Sequence, residues 1–199
     1  MAMRLYDLAG ADPKLRFSPY CWRAKFALAH KGLAVETMPW RFTEKDVIAF
    51  SGSERVPVLL DGDKTIPDSW AIACYLEDAY PDRPSLFGGA GGRALGRMLN
   101  WWGDIAVIGG MFPLIVADIP SHLKPVDAVY FRQSREARFG KPLEEVVAGG
   151  AVEAGDAVTL GAGVPLVGAV VDGPGGDVAR GGGQFSRESA NNFRSCDSA

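Results

Sequence analysis

Ser18-Pro19-Tyr20-Cys21 has the outline of a C-P-Y-C redox loop at the start of a helix, with serine in place of the first cysteine. The replacement removes an attacking sulfur and leaves a hydroxyl where that sulfur would react. Such a site suits holding the thiolate of a bound small molecule. A helix N-terminus presents unpaired N–H groups and a partial positive charge, so it favours an anion. A free thiol has a pKa of about 8.5, and lowering it by two units requires roughly 2.7 kcal/mol of preference for the thiolate. The helix dipole supplies about 0.3–1 kcal/mol and a hydrogen bond to a charged group roughly 1.5–3 kcal/mol. Those contributions are sufficient together. Taken alone, Ser18 is equally well explained as a helix N-cap.

Two further motifs follow. Val56-Pro57 stands at the start of an apolar run, where a cis X-Pro bond exposes the Val56 backbone to an extended peptide that pairs as an added strand. In isolation an edge-strand proline is the better explanation. Asp68-Ser69 opens a helix and can hold an amino-acid head group, with the Ser69 hydroxyl and N–H groups on the α-carboxylate and Asp68 on the α-ammonium. Simple capping is the competing explanation. The joint weight comes from order: cap serine, X-Pro strand, hairpin, acidic-Ser helix start.

Other chemistry-bearing residues say less. Cys21 lies one helical turn from Ser18, and a thiol oxidoreductase acting through it is a third reading beside thiolate holding and simple binding. His30 falls near the end of the first helix, where a histidine favours the dipole. His122 sits in a Pro-bounded loop. No spacing suggests a metal site. Trp101, Trp102, Phe112 and Tyr130 fit core positions better than the wall of an aromatic pocket. Arg132, Arg135 and Arg138 recur every three residues, as on a solvated face.

The elements that must place these residues are legible. Arg4–Leu8 alternates as a strand. Pro19 suits a first helical turn, Trp22, Phe26, Ala29 and Leu33 recur at helical spacing, and Gly32 closes the helix. Residues 34–39 form a second strand candidate, 44–51 a short helix, and 55–60 an apolar strand. Asp61-Gly62-Asp63 turns into a fourth strand at 64–66, and Ile72, Tyr75, Leu76, Ala79 and Tyr80 stripe the helix after Asp68. The order β-α-β, short helix, β-β-α predicts a mixed sheet of thioredoxin-like α/β class. Residues 81–92 have linker composition. Beyond them Leu95, Met98, Leu99 and Trp102 predict one helix, and residues 126–139 a second. These open an all-α second domain, incomplete at its C-terminal end. The expected divisions are therefore 1–80, linker 81–92, 93–148 and a tail at 149–199.

With 199 residues, 47% hydrophobic and 23% charged, the chain can bury a substantial core. Its net charge of −3 argues against general affinity for nucleic acid. Three cysteines are too few for a disulfide framework. No secretory pattern opens the chain and no unbroken apolar run reaches the ~18 residues of a membrane span, so a cytoplasmic protein with no membrane partner is expected.

At this point the chain resembles a known family. Residues 3–88 are similar to the thioredoxin-like domain of cytosolic glutathione transferases. More narrowly, Ser18–Lys25, Ser53–Val58 and Asp68-Ser69-Trp70 resemble the bacterial β-etherase branch and its fungal relatives, with a weaker likeness at Asn100-Trp101 and Tyr130–Glu136. The resemblance implies glutathione as co-substrate, with Ser18 on its thiolate, Val56 (placed by Pro57) on its cysteinyl backbone, and Asp68 and Ser69 on its γ-glutamyl end. It also implies a homodimer and a small aromatic electrophile. In the β-etherase branch that electrophile is a lignin-derived aryl ether with a ketone beside the reacting carbon. The alternative is a glutathione-binding or interaction module without turnover.

After Ala148 the resemblance stops. Twelve of the 25 glycines lie between Gly149 and Gly183, with no helical or strand period. Where the family needs a buried central helix with its own capping box, this stretch reads as a disordered tail or the product of a shifted reading frame.

Overall fold

A computed structural model of the chain describes residues 3–149. Its first half is a thioredoxin-like α/β unit. β1 (Met3–Leu8) pairs in parallel with β2 (Val35–Trp40), joined by α1 (Pro19–His30). β3 (Val58–Asp61) runs antiparallel to β1, and β4 (Lys64–Pro67) antiparallel to β3, giving a mixed sheet in the order β2-β1-β3-β4. The turn between β3 and β4 is taken by Gly62 at φ 56°, as Asp61-Gly62-Asp63 predicts. Residues 45–51 form a 3-10 helix before the Val56–Pro57 bond, which is cis. α2 (Ser69–Ala79) follows β4 directly.

The core of this half joins Leu5 and Leu59 of the sheet to Ala24 and Leu28 of α1 and Ile72 and Leu76 of α2, all fully buried. Each large aliphatic removed from water there contributes roughly 1.5–3 kcal/mol. α1 does not bury the stripe its sequence suggests. Cys21, Ala24 and Leu28 face inward, while Trp22 and Phe26 are exposed. Trp22 instead donates its indole N–H to the Arg16 carbonyl at 2.9 Å and carries the Lys25 ammonium 3.4 Å from its ring centroid.

At the far end of α1, Lys31 is buried, with its ammonium 2.9 Å from Glu77 and donating to the Tyr80 carbonyl at 3.2 Å. Burial alone would raise the Glu77 carboxyl. Hydrogen bonds from Ser85 and the Leu86 N–H, with Lys31, outweigh it and hold the pKa at about 2.

The second half begins inside the expected linker. Residues 90–115 are one continuous helix: α3 (Ala90–Trp102), a π-helical segment at Gly103–Ile108, and α4 (Gly109–Ile115). By length and composition it is apolar enough to cross a bilayer, which unbroken apolar runs alone do not reveal. Its charges serve the protein instead. Arg93 pairs with Asp78 of α2, and Asp104 with Arg23 of α1 at 2.6 Å.

A 3-10 turn at Ile119–His122 leads to α5 (Pro125–Phe139), and residues 143–149 are again helical. A second core of Val116, Leu123, Phe131, Leu143 and Val146 takes in Phe17 and Phe42 from the first half. Asp127, buried at the head of α5, accepts from the Thr43 N–H and hydroxyl, each at 2.9 Å. The expected tail lies outside the described residues apart from Gly149.

Candidate active site

Ser18 caps α1 with extended backbone geometry, and Pro19 follows as the first helical residue. The Ser18 hydroxyl oxygen is buried and accepts the Cys21 N–H at 3.3 Å. That bond is long, so the oxygen stays available to a second partner approaching the helix end. Cys21 is fully buried in a core cluster with Leu8, Trp40 and Ile48. Burial pushes its thiol up to about 12, with the Asp7 carboxylate adding to the effect against the Ser18 hydrogen bond. A thiol so held is no nucleophile, and the oxidoreductase reading loses its reagent.

Val56 packs on that same cluster, which ties the Ser18 end of α1 to the segment before β3. The Asp68 N–H donates to the Pro57 carbonyl at 3.1 Å, so Pro57 and the head of α2 are adjacent. Asp68 itself has φ 77°, a conformation few non-glycine residues adopt. Its carboxylate accepts the Trp70 and Ala71 N–H groups at 2.8 and 3.0 Å, so one oxygen is used in capping α2. Ser69 is buried at the first helical position. Val56, Pro57, Asp68 and Ser69 therefore form one continuous edge, joined to Ser18 through the Cys21 cluster.

Three features of this edge have no local signature in the sequence. Arg23, one turn inside α1, reaches α3 and the π segment, donating to Asn100 at 2.9 Å and pairing with Asp104. Burial raises the Asp104 carboxyl and the Asp68 charge adds to it, against the lowering effect of Arg23. Tyr20 stands over this pair, its ring 5.3 Å from the Arg23 guanidinium, and burial raises its hydroxyl. Beneath α1, buried Asp7 is held between Lys25 at 2.9 Å and Arg16 at 3.3 Å. Contacts that link residues about eighty apart follow only from the fold.

An open cleft of about 480 Å³ adjoins the head of α2, walled by Arg23, Ser69, Trp70, Phe87, Leu99 and Asn100 among others. Among the described residues, no three His, Cys, Asp or Glu side chains gather as a metal set.

Residues 13–84 match the family model for the glutathione S-transferase N-terminal domain, and residues 94–184 the model for its C-terminal domain. The chain belongs to the glutathione S-transferase superfamily. The second match runs past Gly149, across the stretch whose composition departs from the family. Glutathione S-transferase Z1 of Arabidopsis thaliana is 39% identical over 86 residues, covering 38% of each chain. A zeta-class glutathione S-transferase of Euphorbia esula is 34% identical over 84 residues, covering 37% of each. The chain thus spans little more than a third of the length of the curated relatives it matches. Among solved structures, glutathione transferase GSTFuA2 from Phanerochaete chrysosporium superposes with a TM-score of 0.66 at 28% identity, over 77% of this chain and 71% of that one.

Proposed function

We propose that this chain is a serine-type glutathione transferase in which Ser18 donates its hydroxyl hydrogen bond to the glutathione thiolate. Val56 pairs with the cysteinyl backbone, with Pro57 setting its direction. Ser69 and the first N–H groups of α2 take the γ-glutamyl carboxylate, and Asp68 the ammonium. The observation that carries the reading is the buried Ser18 oxygen at the head of α1, weakly engaged by the Cys21 N–H at 3.3 Å. A solved relative from Ceriporiopsis subvermispora, 24% identical over 82% of this chain and 76% of its own, with a TM-score of 0.66, was determined in complex with glutathione.

The thiol proton leaves to solvent as the thiolate forms over the helix end. The sulfur then forms a C–S bond at an electrophilic carbon as a leaving group departs with the electrons of the broken bond. For an aromatic electrophile of the α-keto aryl-ether type, that bond is C–O and phenolate leaves. The ketone activates the carbon, so positioning a nucleophile does most of the work. The protein acts as a cytoplasmic homodimer on this reading.

The test is glutathione-dependent phenol release from an α-keto aryl ether. Ser18→Ala should cut turnover by about 10- to 100-fold, the equivalent of one hydrogen bond to a charge. Release that is unchanged in Ser18→Ala sinks the assignment. The open apolar face of the 90–115 helix favours a second reading, a glutathione-binding module without turnover. Retention on immobilised glutathione with no conjugation of any electrophile would select it.

A further inference from the structure

The three arginines of α5 share a spacing but not an environment. Arg132 is answered by Glu136 at 2.9 Å and Glu144 at 2.9 Å. Arg135 instead turns inward, half-buried, its guanidinium 4.7 Å from the Phe131 ring centroid and 5.6 Å from that of Phe42. Its one hydrogen bond goes to the Ser134 hydroxyl at 2.9 Å, and among the described residues neither Arg135 nor the exposed Arg138 has a carboxylate partner. Burial lowers the proton affinity of Arg135, and the like charges of Arg138 and Arg55 lower it further.

These cations gather beside the thiolate site. Phe42, on which Arg135 lies, packs with Val56 against the Cys21 cluster at the Ser18 end of α1. Lys45 donates to the Glu54 carbonyl at 2.6 Å, just before Arg55-Val56, and its ammonium lies 5.8 Å from the Tyr130 ring. Tyr130 stacks on Phe42 at 6.4 Å between centroids. An aromatic wall therefore rises from α5 beside the segment that bears Val56, edged by Arg135 and Arg138, which have no carboxylate partner among the described residues. The chain as a whole is negative, so this is a local excess and not a general property of the surface. Neighbouring guanidiniums, one half-buried and one exposed, favour an anion between them, and a planar carboxylate fits their fork geometry.

We propose that Arg135 and Arg138 hold a carboxylate on the electrophile, so that the acceptor is an anionic aromatic compound. The inference rests on the glutathione reading of the Ser18 site and names the acceptor class for it.

The test compares two glutathione conjugates that differ in one group, S-benzylglutathione and S-(4-carboxybenzyl)glutathione, by titration calorimetry on the full chain. The carboxylated conjugate should bind about tenfold more tightly, equivalent to ~1.4 kcal/mol. Arg138→Gln should reduce that preference by at least threefold, and Arg135→Gln/Arg138→Gln should bring it to about one. Because Arg135 is packed on two rings, the exposed Arg138→Gln is the deciding variant, and binding of the S-benzyl conjugate reports that each variant is folded. Equal binding of the two conjugates by the unaltered protein, or a preference that survives Arg138→Gln intact, overturns the inference alone. Binding of neither conjugate overturns the glutathione reading and the inference with it.

Discussion

The sheet half and the long helix use their apolar residues in opposite ways. Leu5, Leu28, Leu59, Ile72 and Leu76 are wholly enclosed, while Leu95, Met98, Leu99 and Trp101 on α3 are each more than half exposed. The first half closes on itself because its strands alternate and its two helices cover the same face of the sheet. The helix at 90–115 has an equally marked apolar stripe, yet the other described residues leave most of it open. Hydrophobic periodicity shows that a face exists, and only a partner element shows whether it is covered. The proposed site residues follow the same division: Ser18, Val56, Pro57, Asp68 and Ser69 all belong to the closed half, and Tyr130, Arg135 and Arg138 to the other.

The contrast is broken most directly by truncation. Leu59→Ala should cost about 2–5 kcal/mol of stability in denaturant unfolding. Met98→Ala should cost within about 0.5 kcal/mol, as surface changes do. Equal costs would mean that the α3 face is covered in solution.

At the site, Asp68→Ala removes an acceptor used by two backbone N–H groups and should cost about 1 kcal/mol. Asp68→Asn keeps a capping oxygen, so it should fold almost as well while weakening glutathione binding. Calorimetry that finds its glutathione affinity unaltered would reduce Asp68 to a cap.

Acid probes the lower joint between α1 and α2. The Glu77 carboxyl has its pKa depressed in the folded state, so its contribution is full above its ordinary pKa, near 4.5, and is lost as pH falls toward about 2. Unfolding midpoints across that window should drop less in Glu77→Gln than in the unaltered protein.

The smallest effect is expected at Cys21. With its thiol at about 12, a neutral alkylating reagent at pH 8 should leave it unmodified until the chain unfolds, as read by intact mass. Rapid modification in the folded protein would restore a redox role.

Much of the first half is legible in sequence because its signals are local. An N-cap before proline, a Gly-centred hairpin and an acidic helix start each involve neighbours, and the structure has all three where the residues suggest them. The inward face of α1 was not legible, since Trp22 and Phe26 outweigh Cys21 and Ala24 in hydrophobicity, yet Cys21, Ala24 and Leu28 are the residues turned inward. The setting of Arg135 was hidden for a related reason. A three-residue recurrence of arginines reads as a wet surface, but Arg135 lies on Phe131, four residues back on its own helix, and on Phe42 from another element. The partnership of Arg23 with Asp104 needs the π segment to meet α1, which no spacing announces.

Gly92 sits in a run that looks like a spacer, yet a β-carbon there would collide with the Phe87 carbonyl oxygen. The crossing between the two halves is thus a joint with a defined seat, made where one residue has no side chain. Anyone building chimeras between transferase halves should cut before Phe87 or beyond Gly96, because a graft ending within the glycines would separate the strap from the notch that receives it.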